Sequence, residues 1–354
     1  MPKAHGRAYL HGLDRRTFDA ALWDHLERHP TVERREGFHV TDVVRDERGR
    51  VTGVRGHRPG QAEETLRGRC VVSADGRFSV VARKVGAKTT EERTLRGTTV
   101  YYAYWRGPTT YGGEEDWGHV HTGIDGFSAF ITPAAPGEWG VLVQCRKDYS
   151  RADEGVERWY ESTLSGCPAV WRRFARATRI TELSGMRDVG NLYREAGGDG
   201  WALVGDAYHQ KDSYDGQGIY DALAGAKILA EELVSWHAGE ASWEEALGRY
   251  RAEVRAESHP MFRRTMERLD REIYGEPPLL VTKTLLRWML TDPEYTGRLG
   301  ALVTRSVHPD EWMNGATVLR TLSRGLAGDL RRIVQRRADP SAMPVFDLSS
   351  GSRP

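Results

Sequence analysis

The sequence predicts an α/β (α+β) fold: a partial Rossmann-like unit, interrupted by an inserted antiparallel-sheet domain and followed by a C-terminal helical region. Three observations predict it. "CVVSADG" (70–76) and "WALVGD" (201–206) are continuous apolar runs that end in an acid, the pattern of strands buried on both faces in a parallel sheet. Between them, from about residue 95, "TTVYYAYWRG", "GHVHTGIDGFSAFITP" and "EWGVLVQCRK" are strand-like pieces separated by Gly- and Pro-containing turns. Past residue 218, apolar residues recur at helical spacing almost to the end.

Taken in order, "RRTFDAALWDHLERH" places Phe18, Ala21, Leu22 and Leu26 on one face of a short amphipathic helix, with Pro30 beyond its end. "FHVTDVVRDERGRVTGVRG" has two β-branched runs around a turn at Gly49 and reads as a hairpin. "VERWYESTLSGCPAVWRRFARA" reads as helix with a break at Pro168. Ile219, Ala222, Leu223, Ala226, Leu229 and Leu233 form an apolar stripe, and Ser242 with Glu245 has the spacing of a capping box. These elements divide the chain into 1–90, 91–190, 191–240, 241–342 and a loose tail, 343–354.

Composition excludes several function classes. The 354 residues carry 51 basic and 50 acidic side chains, interspersed, for a net charge of +1, so there is no electrostatic case for nucleic acid. Cys70, Cys145 and Cys167 lie far apart with no metal-ligand or redox spacing and read as free thiols of a reducing compartment. The N-terminus has no apolar core of a secretory signal, which points to a cytoplasmic location. The longest apolar stretch, "LLVTKTLLRWML" (279–290), is too short for a bilayer of about 30 Å and contains Lys283 and Arg287. It reads as a helix packed on the body, without stable membrane insertion.

The candidate site is "GDAYHQKDSYDGQGIYD". Asp206 stands at a strand end, where open α/β sheets gather ligands, and suits a sugar hydroxyl. Gly216 and Gly218 let backbone approach a ligand where a helix begins, offering unpaired N–H groups and the positive end of a helix dipole. A lone Gly-x-Gly is met more often in tight turns than in cofactor sites.

Three motifs in order add specificity. "GDAYHQKDSYDGQG" resembles the GD motif of FAD-dependent monooxygenases of the aromatic-hydroxylase type and their relatives, the flavin-dependent halogenases and geranylgeranyl reductases; "SADGRFSVVAR" is similar to their DG motif, and "RRTFDAAL" to their third signature. The resemblance covers about residues 7–240. It implies that Gly205 and Asp206 meet the ribityl chain of FAD. Gly216, Gln217, Gly218 and Ile219 present amides to the isoalloxazine edge, Arg15 (or Arg16) lies near the flavin or its diphosphate, and Asp75 and Gly76 lie near the diphosphate and the approach of NAD(P)H. Ser79 and Arg83 brace that loop. It further implies that NAD(P)H reduces FAD and that a flavin C4a-hydroperoxide delivers oxygen from O2 to a small apolar or aromatic organic substrate, held near "YYAYW" and "GFSAFITP". Those aromatics equally suit the sheet's own core.

Departures are Ser213 in place of the usual proline, Arg83 one residue late, no WxWxIP signature of halogenases, and no GxGxxG unit for the ADP half of FAD. The last leads to the expectation of an N-terminally truncated flavoenzyme. Two alternatives stay open: an isoprenoid reductase, and a non-catalytic remnant or partner-dependent subunit. A homodimer also stays open. Among individual residues, His209 is expected in a structural hydrogen bond, Lys211 and Asp212 at a solvated loop edge, and His259 at a helix kink before Pro260. No side chain is singled out as catalytic, and no metal site is expected.

Overall fold

The computed structural model describes residues 6–7, 9, 11–109, 118–122, 126–149, 155–275 and 278–338; the tail expected over 343–354 lies outside the described residues. In chain order the regular elements are α1 (Arg15–His25), β1 (His39–Arg45), β2 (Val51–His57), β3 (Glu64–Arg67), β4 (Val71–Ser73), α2 (Val80–Val85), β5 (Thr89–Glu92), β6 (Thr98–Arg106), β7 (His119–Thr122), β8 (Phe127–Ala135), β9 (Glu138–Arg146), α3 (Val156–Ser165), α4 (Pro168–Phe174), β10 (Thr178–Arg179), β11 (Ser184–Met186), β12 (Leu192–Arg194), β13 (Gly197–Gly198), β14 (Trp201–Leu203), β15 (His209–Gln210), α5 (Gly218–His237), α6 (Trp243–Arg268), α7 (Leu279–Thr291), α8 (Pro293–Val303) and α9 (Gly315–Ala338). Helix and strand are mixed as the α/β class requires. The chain forms two compact units, one of residues 15–99 and 187–269, the other of 1–14, 100–186 and 270–354.

In the first unit, β1 and β2 form the expected hairpin, turning at Gly49, whose φ of 84° an L side chain rarely adopts. β3 completes that sheet, and β5, β12 and β15 make a second. The third is the one that positions the site: β14 runs parallel to β4, pairing Trp201 with Val71 and Leu203 with Ser73, and β13 closes its other edge. Parallel pairing puts the C-terminal ends of both strands, and the loops that follow them, side by side. The unit's core gathers Val43, Val51, Tyr193, Leu203, Leu229, Tyr250 and Phe262. Tyr250 Oη donates to the carbonyl of Leu203 at 2.6 Å, so α6 is bonded to the strand that leads into the site.

Three sequence expectations change here. β4 is not buried on both faces: Val72 is 42% exposed, and among the described residues β4 has a strand partner, β14, on one edge only. α1 forms but buries nothing, its Phe18 and Leu26 half-buried and Leu22 exposed. On α5 the inward face is Asp221, Gly225, Ile228 and Leu229, whereas Ile219 and Leu223 point outward. The capping box at the start of α6 forms in both directions, Ser242 Oγ accepting from Glu245 N and Glu245 Oε2 from Ser242 N.

In the second unit, β10, β6, β9, β8 and β7 are neighbours in one sheet, with β11 also on β6. One face carries the core of Tyr101, Ala103, Trp105, Phe127, Ile131, Val141 and Val143, against which α3 and α4 place Trp159, Tyr160, Leu164, Val170 and Phe174. Pro168 begins α4, as expected of a residue without an N–H to donate. Strand alternation puts Tyr102 (exposed) with Tyr104, Phe130 and Leu142 (half-buried) on the sheet's other face.

Helix α9 is built inside out. Thr317, Thr321 and Gly325 face α7 and α8, a Cβ at Gly325 would overlap the Trp288 ring, and Asp329 holds Arg287 at 2.6 Å and Trp288 Nε1 at 2.9 Å. Leu319, Leu326, Leu330 and Ile333 stand 67%, 52%, 55% and 52% exposed. No described helix is long and apolar enough to cross a membrane.

Candidate functional site

Two loops leave the parallel pair together. The ladder extends one step past the strands, Val204 N donating to Ser73 O at 2.9 Å, so Asp75–Gly76 and Gly205–Asp206 emerge as neighbours. Asp75 is held by its own loop: it accepts from Ser73 Oγ, from Val80 N at 2.8 Å and from Val81 N at 3.3 Å. Burial pushes its carboxyl up, but the Ser73 and Ser79 hydroxyls and the two amides outweigh it and hold it below the ordinary carboxylate range. Ser79 Oγ caps α2 by accepting from Ala82 N at 2.9 Å, which is the bracing role expected of it. Arg83 makes no bracing contact with any described residue; its side chain is exposed.

The arginine that does brace is Arg77. Its Nη2 donates to Asp206 Oδ2 at 3.4 Å and to Lys211 O at 3.3 Å, and its Nη1 to Gly190 O at 3.2 Å. Its own carbonyl accepts from Gln210 Nε2 at 2.7 Å and from Arg194 Nη2 at 3.4 Å, while Arg194 Nη1 donates to Ala207 O at 2.8 Å. Arg194 and Gln210 therefore staple one loop to the other. Sequence reading missed all three, since Arg77 lies in a loop and Arg194 and Gln210 end strands of three and two residues, too short to show periodicity; the Arg after Asp-Gly was the one available signal.

Burial pushes the Asp206 carboxyl above its ordinary range, and the Arg77 guanidinium pulls it part of the way back. Gly205, at φ 60°, passes close to α5: a Cβ there would sit 3.3 Å from Ala222 Cβ. Beyond it, His209 is buried and stacks on Tyr193 with ring centroids 4.5 Å apart. Lys211 and Asp212 are not a solvated edge. Lys211 Nζ lies 2.7 Å from Asp221 Oδ2, Asp212 accepts from Thr98 Oγ1 at 2.6 Å and from Tyr214 N at 3.0 Å, and Lys211, Asp212 and Asp221 are all buried. A buried charge is tolerated when paired and hydrogen-bonded, and here the partners are on the same loop, on β6 and on α5. His259, within the unbroken α6, meets Glu91 Oε2 at 3.2 Å.

The loop ends at Gly216, in the left-handed region, and Gln217, which is buried at the N-cap position of α5 without a side-chain cap bond. A Cβ at Gly76, Gly216 or Gly218 would meet nothing within 4 Å. These glycines therefore line open space beside a 20-residue helix whose first amides lack intrahelical partners. Such a cradle fits an anionic or carbonyl-bearing group close to backbone. Asp75, Gly76, Gly205 and Asp206 are thus brought together at the strand ends, and Gly216, Gln217, Gly218 and Ile219 open the helix packed on the Gly205 turn. Arg15, on α1, has its guanidinium on Asp19 at 3.0 Å.

A family model described as "FAD binding domain" matches residues 4–265. The chain belongs to the FAD binding domain family. Among curated proteins, the 1H-pyrrole-2-carbonyl-[peptidyl-carrier protein] brominase of Pseudoalteromonas luteoviolacea is 25% identical over 209 residues, 54% of this chain; the chain spans about half of that relative, 47% of its length. Among solved structures, the flavin-dependent brominase Bmp2 aligns with a TM-score of 0.72 at 19% identity, over 88% of this chain and 75% of that one. The OxyS anhydrotetracycline hydroxylase from Streptomyces rimosus aligns at 0.60 with 21% identity, over 82% and 56%. The fold is one that the chain shares with that brominase and that hydroxylase.

Proposed function

We propose that this FAD binding domain protein is an FAD-dependent oxidoreductase of the NAD(P)H-dependent monooxygenase type, acting on a small apolar or aromatic organic molecule. The observation that supports it most is the parallel pair β4–β14, which brings Asp75–Gly76 and Gly205–Asp206 to one edge beside the glycine-lined opening of α5. When bound, FAD supplies hydride uptake and the activation of O2. In this reading the chain's own residues hold and orient it. Asp206 accepts a hydrogen bond from a ribityl hydroxyl, with Arg77 keeping its carboxylate in place. The amides of Gly216, Gln217, Gly218 and Ile219 donate to the flavin's carbonyl edge, and the helix dipole favours negative charge there. Gly76 leaves room for the diphosphate, while Asp75, already saturated by its own loop, shapes the turn. Arg15 serves the diphosphate in place of Asp19. Tyr102, Tyr104, Phe130 and Leu142, on the sheet face away from the helices, supply an apolar surface for substrate.

The experiment is a titration of the purified chain with FAD, then O2 consumption with NADH or NADPH and candidate aromatics. Flavin retained near one per chain with substrate-dependent O2 uptake supports the reading; no retained flavin overturns it. A second reading, halogenation, is favoured by the brominase relative. Addition of bromide with a substrate mass shift of one bromine distinguishes it.

A further inference from the structure

A cavity of about 420 Å³ opens in the first unit between β5, β12 and α6, and its wall includes Arg194, Arg251, Arg255, Tyr208 and Glu195. We propose that it is a binding site for an oxyanion-bearing small molecule, one that presents a phosphate or carboxylate group to the three guanidinium groups. No assigned role of the chain uses it, and it is independent of the flavin reading.

The charges of the wall do not balance. Arg255 is shared with Glu91, which also holds His259, and its guanidinium carbon lies over the Tyr193 ring, 4.1 Å from the centroid. Arg194 has only carbonyl partners, Ala207 O and Arg77 O, and Arg251 has only Gly197 O; no described carboxylate lies within 4 Å of either guanidinium. Glu195 accepts from Lys88 N at 3.0 Å, which occupies one of its oxygens with backbone. The wall thus carries two guanidinium groups that no described carboxylate pairs with directly, one of them half-buried and influenced only at longer range by Asp75 and Asp206. Burial pushes the Arg194 guanidinium down from its ordinary range, with Arg77 adding to it, and the more distant Asp75 and Asp206 carboxylates offset this only in part.

An oxyanion supplies what is missing. Guanidinium forks match phosphate and carboxylate oxygens, and charge-assisted bonds of this kind are the stronger class. Tyr208 is 5% exposed and burial pushes its phenol up, so it stays a neutral O–H donor at the same wall. Arg194 reaches from this cavity to the carbonyls of Arg77 and Ala207, one in each loop of the candidate site. An anion here therefore fixes the residue that staples the two loops.

The test is isothermal titration of the full chain, without added flavin, with inorganic phosphate, pyrophosphate and acetate at constant ionic strength. Arg251→Gln loses one exposed side chain with a single carbonyl contact, and Lys227→Gln, 77% exposed on α5, makes the same charge change elsewhere. One-to-one binding of one of these anions, weakened at least tenfold in R251Q and unchanged in K227Q, supports the site, and the tightest anion identifies the group. No saturable binding, or equal weakening in both variants, overturns it. So does competition by FAD for the same sites, which would make the cavity part of the cofactor site. Failure of the chain to retain FAD leaves this result standing.

Discussion

Lys211 and Asp221, ten residues apart, form an ion pair of 2.7 Å with side chains only 3% and 4% exposed, tying the loop after Gly205–Asp206 to the first turn of α5. Removing one partner of such a pair strands the other charge in a dry interior. Lys211→Met is expected to destabilise by about 3–5 kcal/mol, and Lys211→Met with Asp221→Leu to recover most of that loss. Urea denaturation of the three proteins checks it: equal loss in single and double variants would mean the pair does not act as a unit.

Gly218→Val separates holding a cofactor from holding the fold. A Cβ there meets no protein atom within 4 Å, and valine is no poorer a helix former than glycine, so the helix is expected to lose nothing by propensity. The same side chain enters the space that the proposed reading gives to flavin. FAD affinity is expected to fall about tenfold or more, roughly 1.4 kcal/mol, at nearly unchanged melting temperature. Unchanged affinity would remove this opening from the site.

Ser79→Ala removes the cap of α2 and one of the hydroxyls that hold Asp75 low. A loss of about 1 kcal/mol is expected, with the Asp75 carboxyl moving up. Chemical denaturation and a carboxyl titration by NMR read the two effects separately.

Asp329 gives a pH dependence of definite sign. Hydrogen bonding from Arg287, with Trp288 adding to it, holds its carboxyl down to about 2 against an ordinary value of 3.8. A carboxyl lowered in the folded state contributes stability that is present above its ordinary value and is lost as pH falls through the folded one. The α7–α9 contact is therefore expected to weaken between pH 4 and 2, followed by Trp288 fluorescence, and Asp329→Asn to flatten that transition.

The parts of the fold written in apolar runs were legible. "CVVSAD" and "WALVGD" are the parallel pair, the turn at Gly49 is a hairpin, and Ser242 with Glu245 caps α6. What escaped depends on partners distant in sequence. Lys211 and Asp212 look solvated by type and are buried because Asp221 and Thr98 receive them. The apolar residues of α5 define a stripe, yet Asp221 and Gly225 take its inner face while Ile219 and Leu223 are left outside. Arg77 and Arg194 are bonded mainly to carbonyls, which any sequence supplies, so no residue pattern announces them.

The reversed helix α9 changes what counts as a conservative replacement. On most helices leucines are the residues a protein cannot exchange; here the exposed Leu319, Leu326 and Leu330 are expected to tolerate polar substitution, and the glycine and threonines opposite are not. Enlarging Gly325 would drive a side chain into the indole of Trp288, whereas trimming Leu330 opens no hole. Drift in this segment is thus expected to spare its small and polar letters while its aliphatic ones wander, so a comparison weighted toward hydrophobic identity would place the helix in the wrong rotation.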